Sequence, residues 1–240
     1  MRRRALLAAS SNGESGGFEI DASKYLTIVA LEDGVTVKFD RKSTMGYLEC
    51  YSSRYKRWDY VYNATINTNE YLCFRGNLKP SSEGVGRFSI KGAFALEGNC
   101  MSLLFNDDAD THLSLEGYDY CFYYLFYESH NLISVSPKFL PATTLASGCY
   151  KGTFKYCSNL TTAPELLATT LADYCYQDTF SLCSKLNYIK ALFTTVPSSH
   201  YTGMWVYGVA SSGTFVKNKN ATWNVAGDDG IPKGWTVITE

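Results

Sequence analysis

The stretch "ATTLASGCYKGTFKYCSNL", residues 142–160, returns 26 residues later as "ATTLADYCYQDTFSLCSKL", residues 168–186. A shorter copy, "CFYYLFYESHNL", precedes both at residues 121–132, at an offset of 28. Repeats with a period of about 20–50 residues form supersecondary units that bury their apolar faces by stacking on their neighbours. The sequence therefore predicts a stack of similar units in this part of the chain.

Equivalent positions of stacked units are expected to form columns of side chains inside the stack. The cysteines among them would then pack as small apolar side chains. Two alternatives stay open: disulfide bonds, whose geometry a sequence cannot show, and a metal site, although no C-x-x-C spacing is present. The predicted core residues are Cys121, Phe126, Leu132, Cys149, Phe154, Cys157, Leu160, Cys175, Phe180, Cys183 and Leu186.

The spacing of apolar residues predicts the local structure of the units and of the chain before them. Inside each unit, apolar residues lie about three to five positions apart, which favours a short helix. The segment "SNLTTAPEL", residues 158–166, is Thr-rich with a proline and predicts a short strand and a bend. Upstream, "KYLTIVAL" (24–31) and "VTVKFD" (35–40) flank a turn signal and are typical of a small antiparallel sandwich.

The pattern "F-x-x-C-x-x-L", at residues 154–160 and 180–186, and the linker "LTTAPELLATTLA" between its copies resemble BspA-like leucine-rich-repeat proteins. The variant it resembles is found in gut Bacteroidales bacteria and their phages. The resemblance covers about residues 70–240. It implies right-handed solenoids that mostly serve in surface binding, and it carries over no catalytic residues. Exported bacterial members start with a full signal peptide, whereas "MRRRALLAAS" looks more like the start of phage virion proteins.

The predicted fold class is mixed α/β. An N-terminal antiparallel β-sandwich is followed by a short leucine-rich-repeat-like solenoid with a C-terminal cap. We expect Arg2, Arg3 and Arg4 to anchor the chain on a virion. The predicted ranges are a flexible basic arm at 1–17, the β-sandwich at 18–80, a β-rich connection and N-terminal cap at 81–116, repeat coils at 117–195 and a C-terminal cap at 196–240.

Composition excludes some function classes. A formal net charge of -1 argues against a nucleic-acid partner, which needs a basic face. No run approaches the ~18 apolar residues that cross a bilayer, so membrane insertion is not expected. Charged residues make up only 19% of the chain while tyrosine reaches 19 residues, a balance that resembles binding surfaces more than cytosolic enzymes.

The stretch "GYDYCFYYLFYESHN", residues 117–131, holds tyrosines outside the repeated apolar positions. Exposed, they would give a rigid contact area at low entropy cost. The alternative is that this first unit caps the stack and buries them against the β-sandwich. The candidate binding residues are Tyr118, Tyr120, Tyr123, Tyr124 and Tyr127.

Residues capable of catalysis are scattered. His112, His130 and His200 match no known metal or catalytic spacing. The acidic run around Asp107, Asp108 and Asp110 could bind Ca²⁺, but it lacks EF-hand spacing, and a solvated turn is the simpler interpretation. "GDDG", residues 227–230, is a similar polar turn. We therefore predict no enzyme activity and no cofactor or metal.

The predicted function is a non-catalytic structural or binding protein. The first hypothesis is a phage virion component: a tail or head fibre, a decoration protein or a host-receptor binder. Its partners would be other virion proteins or a host cell-surface receptor or glycan, and the chain would form a homo-oligomer. The alternative is a bacterial cell-surface adhesin. A glycan hydrolase is the third hypothesis.

Overall fold

The computed structural model consists mostly of short strands and turns, and it describes residues 20–60 and 63–240. Two four-residue helices are present in these ranges, α1 (Ser102–Phe105) and α2 (Ser199–Thr202), with 3-10 turns at Ala22–Lys24 and Asn106–Asp108. The strands are β1 (Leu26–Ala30), β2 (Val35–Arg41), β3 (Leu48–Ser52), β4 (Arg57–Asp59), β5 (Asn63–Ile66), β6 (Tyr71–Gly76), β7 (Gly86–Lys91), β8 (Phe94–Glu97), β9 (Leu132–Val135), β10 (Tyr188–Ala191), β11 (Thr214–Lys217) and β12 (Thr236–Thr239).

These strands form three sheets within the described ranges. The first has the order β4-β3-β6-β1-β8-β9 and is antiparallel except for the β8–β9 pair. The second, β5-β2-β7, is antiparallel, and the third, β10-β11-β12, is parallel. Because β7 and β8 follow residue 80, the first two sheets extend across the predicted boundary there. The domain ranges remain predictions.

The first two sheets pack face to face over one core. In β2, Val35, Val37 and Phe39 are buried and alternate with exposed polar residues, the pattern of a strand with one face in water. The rings of Phe74 in β6 and Phe88 in β7 meet edge to face, with centroids 4.9 Å apart. These aromatic contacts join the two sheets.

The predicted mixed α/β class with a leucine-rich-repeat-like solenoid is wrong. The structure is mostly β-sheet, and in the described ranges its helical segments have only three or four residues each. None of the three sheets closes on itself or winds into a solenoid. Where the repeats predict short helices, residues 119–128, 147–156 and 173–182 form consecutive turns.

Backbone dihedral angles explain why no helix forms in the repeats. Every fourth residue has a positive φ: 54° at Tyr120, 53° at Tyr124 and 60° at Glu128. An α-helix needs φ of about −63° at every residue, so it cannot pass through these positions. The equivalent residues of the next two units also have positive φ: Gly148, Gly152, Tyr156, Tyr174, Asp178 and Leu182.

Successive backbone N–H groups of the turns alternate between two kinds of acceptor: a carbonyl of the next unit and a carbonyl of their own unit. Phe122 N–H donates to the Cys149 carbonyl at 2.9 Å, whereas Tyr123 N–H donates to the Tyr120 carbonyl at 3.0 Å. This alternation provides partners for buried backbone groups without a helix or a strand ladder. We call residues 119–128, 147–156, 173–182 and 199–208 together the turn stack.

Two columns of aromatic rings fill the interior of the turn stack. Phe126, Phe154 and Phe180 are nearly parallel, with neighbouring centroids 5.9 Å apart, and Phe88 extends this column at 5.2 Å from Phe126. The second column contains Phe122, Tyr150 and Tyr176. All the predicted core residues are fully buried: Cys121, Phe126, Leu132, Cys149, Phe154, Cys157, Leu160, Cys175, Phe180, Cys183 and Leu186.

Candidate functional site

The turns repeat every four residues. In each turn two consecutive side chains point into the core and the next two point outward. In the first unit Cys121, Phe122, Leu125 and Phe126 are buried, while the residues between them are half-buried. The outward side chains of successive units lie side by side and form one continuous surface. We call this surface the turn face; it consists of Tyr120, Tyr123, Tyr124, Tyr127, Lys151, Lys155, Tyr156, Tyr174, Gln177, Asp178, His200, Met204 and Tyr207.

Four of the five predicted tyrosines lie together on the turn face. The rings of Tyr123 and Tyr124 stack with centroids 4.2 Å apart, and Tyr127 lies 4.7 Å from Tyr124 on its other side. Tyr120 meets Tyr123 edge to face at 6.0 Å. All four side chains are half-buried. The tyrosines are therefore neither fully exposed nor fully buried against the β-sandwich, the two alternatives that the sequence left open.

Tyr118, the fifth predicted tyrosine, lies apart from this group. Its ring packs edge to face on Phe105, with centroids 5.0 Å apart, and its hydroxyl accepts a hydrogen bond from Lys79 Nζ at 3.0 Å. These contacts attach the start of the turn stack to the end of α1 and to the segment after β6. Tyr118 is therefore a packing residue at the edge of the stack.

Two glycines hold the tyrosine rings in place. Gly148 and Gly152 have φ of +58° and +62°, where other residues are strained. The rings of Tyr120 and Tyr124 occupy the space above these glycines, and a Cβ on Gly152 would overlap the Tyr124 ring. The second unit therefore supplies flat backbone on which the rings of the first unit rest.

Positive charges on the turn face are held against rings and carboxylates. Lys151 Nζ lies 5.9 Å from the centroid of the Tyr123 ring and 5.8 Å from that of Tyr174, within reach of cation–π attraction. Lys155 Nζ bonds Asp178 Oδ1 at 3.0 Å. These contacts restrict two long side chains before any partner binds.

The most exposed apolar side chains of the turn face come from its third and fourth units. Tyr174 is 37% exposed, and Met204 and Tyr207 are each 43% exposed. Tyr174 packs against His200, whose Nε2 lies 2.7 Å from Asp173 Oδ1. The repeats could have indicated Tyr174, because it is equivalent to Tyr120, whereas Met204 and Tyr207 lie in a fourth unit with little sequence similarity to the others.

The Tyr124 hydroxyl of the turn face stays protonated at neutral pH. Burial, and next the neighbouring Tyr123, raises the pKa of Tyr124 well above its usual value. A neutral phenol both donates and accepts hydrogen bonds. The turn face can thus combine apolar contact with polar recognition.

The cysteines have the chemistry of core residues. All eight are buried and unpaired. Burial raises the pKa of Cys175 and Cys183 to about 12, so both remain neutral thiols, which are poor nucleophiles and metal ligands. Cys157 Sγ donates to the Phe126 carbonyl at 3.3 Å, and Cys183 Sγ donates to the Phe154 carbonyl at 3.1 Å. These thiols join neighbouring units.

The acidic run is part of an ion-pair network. Asp107 accepts hydrogen bonds from Arg75 Nη1 at 2.8 and 3.0 Å and from the Tyr25 hydroxyl at 2.7 Å. Asp110 pairs with Lys24 at 3.6 Å. Across residues 20–60 and 63–240, no group of three or more His, Cys, Asp and Glu residues is placed to hold a metal ion. Asp107 thus connects the segment after α1 to β6.

The histidines lie in three separate environments. His112 stacks on Phe105 with centroids 4.2 Å apart, and His130 Nδ1 lies 3.4 Å from Ser158 Oγ. His200 belongs to the turn face. The geometry therefore does not bring them together as a catalytic or metal site.

Comparison with protein-family models, curated proteins and solved structures gives no match. The resemblance to BspA-like proteins therefore stays a prediction that rests on the quoted motifs. The predicted anchoring residues Arg2, Arg3 and Arg4 lie outside the described residues. In the part of the chain that is described, no helix has the length and apolar character needed to span a bilayer.

Proposed function

We propose that this chain is a non-catalytic binding protein of a phage virion and that the turn face contacts the host cell. The observation that carries the proposal is the group of tyrosine rings on the turn face. Tyr120, Tyr123, Tyr124, Tyr127 and Tyr156 follow one another in ring contact, and Lys151 links Tyr123 to Tyr174. Tyrosine gives a large amphipathic contact area with few rotatable bonds, so little side-chain entropy is lost on binding. Aromatic residues are also enriched among the residues that dominate binding energy.

Pre-organisation supports this assignment. The rings of Tyr120 and Tyr124 rest on glycine backbone, and Lys151 lies between Tyr123 and Tyr174. Side chains that are already restricted lose less entropy when a partner binds. The low proportion of charged residues, 19%, agrees with a surface that recognises its partner mainly by aromatic contacts.

The virion assignment rests on the resemblance of the repeats to BspA-like proteins of phages and on the arginine-rich segment at residues 2–4. Mass spectrometry of density-purified phage particles tests it. We expect peptides of this chain at a constant ratio to capsid peptides across the particle peak. Recovery in the bacterial envelope fraction, with none in the particle peak, would contradict the virion role and favour the adhesin.

A further inference from the structure

The third sheet ends at β12, which is an edge strand in the described part of the chain. Ile189, Phe215 and Val237 lie side by side on the core face of this sheet. Ile189 and Phe215 are fully buried, but Val237 is 40% exposed. On the opposite face Ile238 is 49% exposed beside the buried Val216. Apolar side chains on both faces of the sheet are thus left uncovered at the β12 edge.

The end of β12 is held firmly in position. The backbone N–H of Glu240 donates to the Lys217 carbonyl at 3.1 Å, and its carbonyl accepts from Lys219 N–H at 2.7 Å. The Glu240 carboxylate lies 2.5 Å from Lys190 Nζ. An ordered edge strand is a ready template for another strand.

The sequence of β12, "TVIT", has none of the usual protection against pairing. Edge strands usually carry lysine, proline or a β-bulge that blocks a second chain. Here the four residues are uncharged and β-branched, and the pairing with β11 is regular. This composition favours pairing with another strand.

The hydrogen bonds to β11 determine which backbone groups face outward. Thr236 N–H donates to the Gly213 carbonyl at 2.9 Å, and Glu240 N–H donates to Lys217, so residues 236, 238 and 240 face β11. Successive residues of a strand point their backbone groups to alternate sides. The N–H and C=O groups of Val237 and Thr239 therefore face away from the sheet.

We propose that a second copy of this chain pairs with β12 in antiparallel orientation about a two-fold axis at Ile238. In this register Val237 exchanges two hydrogen bonds with Thr239 of the second copy, and Thr239 exchanges two with its Val237. The side chains of each cross-strand pair lie on the same face of the joined sheet, and Ile238 packs against Ile238 of the second copy. The strand is thus self-complementary, as a two-fold interface requires.

The resulting dimer joins two third sheets into one six-stranded sheet. A contact built around four residues lies at the low end of interface size, so we expect a dissociation constant on the order of 10 µM. The β12 edge can pair in this way whether or not the turn face contacts a host cell. If both hold, each dimer carries two turn faces, which raises the avidity for a surface.

Sedimentation equilibrium of the full chain between about 1 and 300 µM tests the proposal, since this range brackets the expected dissociation constant. We expect the mass to rise from 26.8 kDa towards twice that value. Thr239→Pro removes an outward N–H without touching the bonds to β11, and it should keep the chain monomeric. Ile238→Lys places like charges at the axis and should do the same. Met45→Lys, at an exposed position of the sandwich, is the matched control and should dimerise normally.

The variants must keep the wild-type thermal unfolding midpoint at low protein concentration, and a variant that does not is set aside. Amide hydrogen exchange of the wild type is the second readout. The amides of Val237 and Thr239 should become protected as the concentration rises. A constant mass of 26.8 kDa over the whole range, or a dimer in which these two amides exchange freely, would overturn the proposal.

Discussion

Raising the pH from about 8 to about 10 is expected to unfold this protein, because its eight buried thiols ionise in the unfolded chain but not in the folded one. Burial raises the pKa of every cysteine in the folded state. A raised folded pKa gives stability that is present below the unfolded pKa of about 8.5 and is lost as the pH rises above it.

The size of the effect follows from the number of thiols. Above their unfolded pKa, each thiol removes up to about 1.4 kcal/mol of stability per pH unit. Eight thiols together remove on the order of 10 kcal/mol by about pH 10, which is comparable with the whole stability of a typical domain. Ionisation of buried tyrosines adds to the loss only at higher pH.

Urea unfolding at a series of pH values under reducing conditions measures this effect. The free energy of unfolding should fall between about pH 8.5 and 10 with a slope equivalent to several protons. Cys157→Ala and Cys183→Ala should each reduce that slope by up to one proton. A slope of one proton or fewer in the wild type would show that the thiols are not buried together in the folded state.

Phe154→Ala is expected to lower the free energy of unfolding by about 3–5 kcal/mol. Phe154 lies in the middle of its ring column, with the centroids of Phe126 and Phe180 both 5.9 Å away, and Phe139 packs on it from the side at 6.2 Å. Removal of the ring leaves a cavity between units that hydrogen bonds hold at fixed spacing.

Denaturant unfolding of Phe154→Ala and of a matched variant, Tyr156→Ala, tests this expectation. Tyr156 is an aromatic residue of the same unit but lies half-buried on the turn face, so its loss leaves no internal cavity and should cost about 1 kcal/mol. If Phe154→Ala cost no more than Tyr156→Ala, the ring column would not be a main source of stability.

The repeat period and the buried columns could be predicted from the sequence, because equivalent residues at offsets of 26 and 28 must lie in columns when units stack. The turns inside each unit could not be predicted in this way. Apolar pairs four residues apart, such as Cys121-Phe122 and Leu125-Phe126, come close to the helical period of about 3.6. The positive φ at Tyr120 and Tyr124 decides against a helix, and tyrosine gives no signal for that conformation.

Only part of the candidate site could be predicted from the sequence, because its residues come from several units. The tyrosines of the first unit stand out because they are dense in the sequence. Tyr174 is also indicated by the sequence, through its equivalence to Tyr120 in the repeats. Met204 and Tyr207 join the group only through the stacking of a fourth unit, which has little sequence similarity to the others. Tyr118 is adjacent to the group in sequence but lies apart from it, because its ring packs on Phe105, which is upstream of the repeats.

We expect the turn face to bind the host cell, and adsorption of the labelled full chain to a panel of Bacteroidales strains measures this binding directly. The test variant replaces Tyr174, Met204 and Tyr207 with serine; the control replaces Met45, Tyr55 and Tyr60, another exposed set of one methionine and two tyrosines. We predict saturable binding of the wild type and the control to at least one strain, and a loss of at least about tenfold in the test variant, as expected when side chains that dominate the binding energy are removed. Equal binding of the two variants, or no saturable binding of the wild type to any strain, would contradict it.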